Sequence, residues 1–376
     1  MKWLLLIFLV YTFSCDAAVL VRSDHDNFVL NNRPIIGVLS QEQSSYLHTK
    51  YPEENYTSYI AASYVKDVES SGARVVPIMI GKDRSYYEEL MQKINGVLIP
   101  GGATYFNQSN GYADAGQHIL EIAKQLNDGG DYFPIFGTCL GFELILIIES
   151  GRGTPENRVT CYSYDNLPLN FTNDFRDSKM FKNAPVDVLH LLKNEDVTVN
   201  AHQFCILDER GVLGTLSLSL YSFNIQISIF MNLCISRRYP FYGVQFHPEK
   251  SAFEWKLSKN YPSSAEAVKA NRYFMDFFVN ECRKSAHTFA SASEENQYVI
   301  YNYEPHFTGV LGSAYHQCYL FEPRVPQHII MSKSYVALLT AGNATATLFV
   351  LSMGAGSCLS SADPIPVCLI FLKKYI

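Results

Sequence analysis

Three residue types that together can break an amide bond stand in informative settings in this chain. The first is Cys139, in Gly137-Thr138-Cys139-Leu140-Gly141. The apolar run Phe133-Pro134-Ile135-Phe136 leads into it and the apolar stretch Phe142 to Ile148 follows. A strand, a sharp glycine-flanked turn and a helix form a nucleophile elbow, in which small neighbours leave room for an exposed central side chain. A helix N-terminus after the cysteine favours the thiolate, so a lowered thiol pKa is expected at Cys139. A cysteine in a glycine turn is more often a buried structural residue. The strand before it and the helix after it reverse that reading.

A thiolate nucleophile needs a group to take its proton and later give it to the leaving amine, and one imidazole serves both steps. Among ten histidines, His247 ends the apolar run Tyr239 to Phe246 and is followed by Pro248 and Glu249. Proline stops the strand, and a carboxylate two residues on can orient the ring and stabilise its charged form. His-Pro-Glu alone often ends a strand by chance; with the elbow it becomes a Cys-His-Glu arrangement. Acyl transfer also needs oxyanion donors. The backbone N–H of Leu140 suits one. Gly102, in the turn Pro100-Gly101-Gly102, suits the second, with Gly101 beside it as a substrate-facing position; an ordinary tight turn is the plainer reading.

The elements that must carry these residues alternate. Arg33 to Ser40, Arg74 to Ile78 and Gly96 to Pro100 read as short buried strands, and Tyr59 to Ser70 and Tyr86 to Ile94 as helices. Alternation at such intervals implies an α/β fold with a parallel sheet and helices on both faces. In open sheets of this kind ligands bind outside the carboxyl ends of the strands, where both glycine turns fall. Beyond Gly151 the pattern is irregular, with strand-like pieces at Val186 to Leu192 and Val197 to Val199. Ser263-Ser264-Ala265-Glu266 matches a capping box that opens an amphipathic helix through Phe274, Phe277, Phe278 and Cys282.

Composition narrows the function. With 36 acidic against 30 basic residues and a net charge of −6, a nucleic-acid footprint is not expected. Hydrophobic residues at 48% rule out disorder as the main state. The nine cysteines contain no C-x-x-C pair, and no H-E-x-x-H, P-loop or ordered dinucleotide fingerprint appears, so neither metal nor cofactor is invoked. One or two disulfides and at least one free thiol are expected. Lys2, the apolar run Trp3 to Phe13 and the small residues that follow read as a signal peptide over about residues 1–17. Sequons at Asn55, Asn107, Asn170 and Asn343 fit a glycoprotein of the secretory route.

Phe136-Gly137-Thr138-Cys139-Leu140-Gly141-Phe142-Glu143 and Tyr242-Gly243-Val244-Gln245-Phe246-His247-Pro248-Glu249-Lys250 closely resemble the gamma-glutamyl hydrolase family. Ile60 to Lys66, Asp131 to Pro134 and Glu254-Trp255-Lys256 resemble it too. The resemblance covers roughly residues 33 to 322. It implies a class I glutamine amidotransferase-like (flavodoxin-like) fold and a folyl-poly-gamma-glutamate substrate. It also implies a secreted, lysosomal or vacuolar home. A membrane anchor over Ser334 to Ala362 is disfavoured, because that run is only weakly apolar and carries a sequon, and no stable membrane contact is expected. A homodimer is left open. Cys139 matches the family nucleophile and His247 the catalytic histidine. His202, in Asn200-Ala201-His202, matches a second histidine near the substrate. Glu143, one turn after Cys139, is expected to face the same site, although a structural ion pair would also explain it.

Two stretches depart from that pattern. Gly211 to Ser236 carries no charge where the family has charged hairpins; Leu216, Leu218 and Leu220 alternate as in a strand, and Phe223 to Ile229 alternate in the opposite phase. Residues 323–376 run beyond the family's usual end and read as a poorly ordered extension. Two other functions remain at this level. One is a glutamine amidotransferase-like amidohydrolase, which the signal peptide disfavours. The other is a catalytically inactive glycoprotein of the same fold, which the retention of Cys139 and His247 disfavours.

Overall fold

The computed structural model describes residues 30–50, 55–151, 158–206, 216–217, 233–236 and 238–322, with the short paired strands Tyr335–Val336 and Val350–Leu351. The signal-peptide segment, Asn343, Phe223 to Ile229 and most of the C-terminal extension lie outside the described residues.

The central sheet consists of β1 (Ile35–Leu39), β2 (Arg74–Ile78), β3 (Val97–Ile99), β4 (Ile135–Thr138), β5 (Leu216–Ser217), β6 (Leu233–Ser236) and β7 (Phe241–Val244). Their order across the sheet is β5-β6-β7-β4-β3-β1-β2. The five strands from β7 to β2 are parallel, and β6 and β5 add an antiparallel edge. The strand order reverses beside β1, because the chain steps out to β2 and returns to the other side at β3. Crevices at such switch points bind ligands.

Six helices pack on the sheet: α1 (Ala62–Ser70), α2 (Arg84–Met91), α3 (Tyr112–Asp128), α4 (Leu140–Ser150), α5 (Val186–Asn194) and α6 (Ala265–Cys282). Side chains alternate across each of the five parallel strands, and both faces of these strands are buried, as parallel strands require. Ile36, Val38, Leu98, Phe136 and Tyr242 join α1, α5 and α6 in one core. Ile35, Leu39, Val97, Ile99, Ile135 and Phe241 join α2, α3 and α4 in the other. The expected α/β architecture with helices on both faces is therefore present.

Three sequence readings change. Tyr59 to Ser70 is not one helix: Ser58–Ala61 is a strand paired with Cys318–Phe321, and the helix begins at Ala62. The long-range partner decides, because Tyr59, Ile60 and Ala61 suit either element. Val186–Asn194 is a helix, not a strand, and buries Val188, Leu189 and Leu192 at helical spacing. The cap of α6 is Ser264, whose hydroxyl accepts from the Ala267 N–H, one residue later than the Ser263 box implies.

Candidate active site

The register of three adjacent parallel strands brings the site together. Ile99 pairs with Gly137, and Gly243 and Val244 pair with Gly137 and Thr138. The residues that leave these strands, Gly101, Cys139 and Gln245 to His247, therefore emerge at one edge.

Cys139 sits at φ 50° and ψ −105°, one of two non-glycine residues with positive φ among the described residues. Such a conformation costs about 1–3 kcal/mol and is held only by its surroundings. Here those surroundings are tight. A Cβ on Gly141 would lie 2.0 Å from the Ile99 carbonyl oxygen, and one on Gly137 would lie 2.7 Å from the Gly141 backbone. The Cys139 N–H donates to the Val244 carbonyl at 2.8 Å, which ties the elbow to β7.

His247 is set by both sides of its backbone and ring. Its N–H donates to the Val199 carbonyl at 2.8 Å, and its Nδ1 lies 2.7 Å from Glu249 Oε1. With Nδ1 engaged, Nε2 is the nitrogen left to exchange a proton. All three side chains are buried: Cys139 is 4% exposed, His247 3% and Glu249 1%. Burial lowers the His247 pKa, assisted by Lys250, although Glu249 pulls it back up. For Glu249 burial acts upward, but His247 and Lys250 outweigh it and the net direction is down. A charged Glu249 thus faces an imidazole kept neutral until it gains a proton.

The thiol departs from expectation. Burial, then the Glu143 and Glu249 carboxylates, push the Cys139 pKa far up, and Lys250 and the Leu140 N–H pull it back only in part. Burial and the two carboxylates thus outweigh the helix N-terminus, and the thiol pKa moves up rather than down.

Leu140 opens α4, so its N–H has no partner in the preceding turn. Gly102 lines the same cavity as the thiol, and its lack of a side chain is forced: a Cβ there would lie 1.6 Å from Gln41 Oε1. Gly101 contributes space rather than polar contacts. Its N–H donates to the Tyr64 hydroxyl at 2.9 Å and its carbonyl accepts from Gln41 Nε2 at 2.7 Å. A Cβ on it would meet His247 Cε1 at 2.8 Å and Cys139 Cβ at 3.1 Å.

Two cavities flank this centre and share Gly102, Ala103, Tyr164 and Ala201 in their walls. One, of about 340 Å³, is lined by Cys139, Glu143, Arg158, His202 and Phe204. The other, of about 320 Å³, is lined by His247, Lys250, Lys259, Tyr261 and Tyr315. Glu143 does reach the first cavity, but its oxygens are engaged: Oε1 accepts from Gln245 Nε2 at 3.0 Å and Oε2 pairs with Arg158 at 2.7 Å. The Arg158 guanidinium lies 4.0 Å from the Phe204 ring centroid. His202 is buried and neutral, its pKa brought down to about 4 by burial and by the nearby His247.

Sequence reasoning missed several residues here. Tyr64, on α1, stands with its hydroxyl 3.3 Å from His247 Nδ1 while accepting from Gly101. Lys250 is buried with its ammonium 3.8 Å from Glu249 and 4.5 Å from the Tyr315 ring centroid. Gln245, 3.8 Å from Cys139 Sγ, links the thiol to Glu143. The cysteine expectation is met by a bond between Cys161 and Cys205 and by free Cys139, Cys282 and Cys318, all among the described residues. Cys161 and His202 form a second close cysteine–histidine pair, but the sulfur of Cys161 is already bonded and is no nucleophile in this state. Asn55, Asn107 and Asn170 are exposed.

The chain is similar in sequence to known proteins. The Peptidase C26 family matches residues 34–249. Gamma-glutamyl hydrolase of Homo sapiens is 38% identical over 77% of this chain and 90% of its own. The Mus musculus protein of that name is 38% identical over 78% and 90%. Gamma-glutamyl hydrolase B of Dictyostelium discoideum is 37% identical over 74% and 80%.

Proposed function

Because the chain belongs to the peptidase C26 family, we propose that it is a gamma-glutamyl hydrolase acting on folyl-poly-gamma-glutamates through a Cys139 acyl-enzyme. The observation that carries the reading is the strained Cys139 at the elbow, set beside a His247 that Glu249 holds by Nδ1.

The reaction starts from a neutral pair. As the gamma-amide carbonyl enters, His247 takes the Cys139 proton and the sulfur attacks the carbonyl carbon. Glu249 stabilises the imidazolium so formed. The developing oxyanion is held by the N–H groups of Leu140 and Gly102, each donor being worth about 3 kcal/mol in such sites. His247 then protonates the departing amine, and the C–N bond breaks. A water that gives its proton to the same ring releases the acyl group and restores the thiol.

Substrate charge suits the walls. A gamma-linked glutamate tail carries one α-carboxylate per residue, and Arg158, Lys250 and Lys259 line the two cavities on either side of the thiol. Neutral His202 completes the substrate side, and Gly101, buried against His247 and Cys139, keeps those two side chains close rather than touching substrate. The catalytic domain spans residues 33–322. A secreted or lysosomal protein, glycosylated at one or more of the sequons, fits the N-terminal apolar run, and among the described residues no helix is long and apolar enough to cross a membrane.

Incubating the purified protein with pteroylpentaglutamate and resolving the products by chromatography tests the function. Shortened pteroylglutamates with released glutamate or gamma-glutamyl peptides are expected. Release of ammonia from glutamine without tail cleavage would overturn the assignment in favour of amidotransferase-like chemistry.

A further inference from the structure

The wall of the nucleophile's cavity is a hairpin of its own, Arg158–Ser163 paired antiparallel with His202–Ile206. It supplies Arg158, His202 and Phe204 to that cavity. Its ladder is interrupted where it matters: His202 pairs with Ser163 and Phe204 with Thr160, so Cys161 and Tyr162 oppose the single residue Gln203. A bulge of this kind removes the ladder hydrogen bonds that would fix the neighbouring side chains. At this break the Cys161–Cys205 bond crosses between the strands. Both sulfurs lie 3.7 Å from His202 Nδ1, so the imidazole rests on the bond itself.

We propose that Cys161–Cys205 is a redox clip that holds His202 and the Arg158–Phe204 wall against Cys139, and that thiol reductants open it and weaken substrate binding. The proposal rests on the hydrolase reading only for the substrate named in one arm of its test. Cys161 is partly exposed, whereas Cys139, Cys282 and Cys318 are buried, so the clip offers the accessible sulfur among these five. In the reaction a reductant thiolate attacks Cys161 Sγ, the S–S bond breaks, and its electron pair leaves on Cys205 as a thiolate that takes a proton from solvent. A second reductant thiol resolves the mixed disulfide. Cys161 gains the other proton, and the reductant departs as its own disulfide. The new thiols can then donate to His202 Nδ1, and the bulge loses its covalent tie.

The test compares the oxidised full chain, the chain after a dithiol reductant has been applied and removed, and Cys161→Ser/Cys205→Ser. Peptide mapping verifies the state of the bond. With pteroylpentaglutamate, reduction should raise KM roughly tenfold with a smaller change in kcat, the size expected when positioning residues shift by less than about 1 Å. The double variant should show the same raised KM as the reduced chain and ignore the reductant, and its melting curve shows whether it folds. A second readout needs no hydrolysis: iodoacetamide labelling of Cys139, followed peptide by peptide, should quicken several-fold on opening the clip. If the tail is not cleaved in any state, the hydrolase reading falls and the labelling rates still decide the clip. Unchanged KM and unchanged Cys139 labelling in chains whose bond is verified open would overturn it.

Discussion

The two sides of the cleft are built on different principles. On one side Cys139, Gly101 and His247 leave neighbouring parallel strands, and backbone contacts fix them: the elbow packs on Ile99, and the Cys139 and His247 N–H groups are tied to Val244 and Val199. On the other side Arg158, His202 and Phe204 stand on a separate hairpin whose ladder is broken by a bulge and tied by one cross-strand bond. The first side reaches its geometry through the register of the whole sheet, so it cannot move without unpacking two cores. The second depends on an ion pair, a ring contact and a disulfide. The proposed reaction chemistry thus falls on the rigid side and the proposed substrate contacts on the adjustable one.

The largest effect that distinguishes the sides belongs to the rigid one. His247→Ala removes both base and acid and is expected to abolish nearly all turnover, while Glu249→Gln keeps an acceptor but loses the charge. Its loss should be on the order of one to three powers of ten in kcat, with KM little changed. The two losses should be non-additive in a double variant, because Glu249 acts through the ring of His247. A double variant whose loss equals the product of the single losses would place Glu249 on the substrate and remove it from the catalytic unit.

A smaller effect belongs to the hairpin, and it appears in stability. Folding holds His202 at about 4 against an ordinary value of 6.5. Between those values the unfolded chain binds the proton and the folded chain does not. Stability is therefore fully present above about pH 6.5 and is lost as pH falls towards 4, by up to about 3 kcal/mol for this one group. Chemical denaturation at pH 7 and pH 4 measures it. The fall should be smaller in His202→Gln by a margin of that order, and an identical fall in both proteins would show that His202 is not kept neutral by the fold.

The same division decided what could be read from the sequence. The elbow is local: two glycines, a cysteine and apolar flanks are contiguous, and so are the strand end and the His-Pro-Glu that follows. Tyr64 and Gln41 reach the centre through tertiary packing, and Lys250, although it follows Glu249 directly, shows its contact with Glu249 and Tyr315 only once the chain is folded. The direction of the Cys139 shift differs from the expectation because a helix N-terminus is visible in sequence, whereas burial and the approach of Glu143 and Glu249 are not. Val186–Asn194 misled for another reason. Val186, Val188 and His190 alternate with the other residues as in a strand, yet the buried set is Val188, Leu189 and Leu192, and packing on α6 selects the helix. The Ser58–Ala61 strand owes its form to Cys318–Phe321, some 260 residues away.

The most direct test of the central claim is to trap the acyl-enzyme. Wild type and Cys139→Ala are mixed with a gamma-glutamyl substrate, quenched in acid within the first turnovers, and analysed by intact and peptide mass spectrometry. A substrate-derived acyl group is expected as a thioester on the Cys139 peptide of the wild type, with no adduct in a folded Cys139→Ala chain and turnover reduced there by at least about a thousandfold. An adduct on another residue, or Cys139→Ala turning over within roughly tenfold of wild type, would contradict that claim.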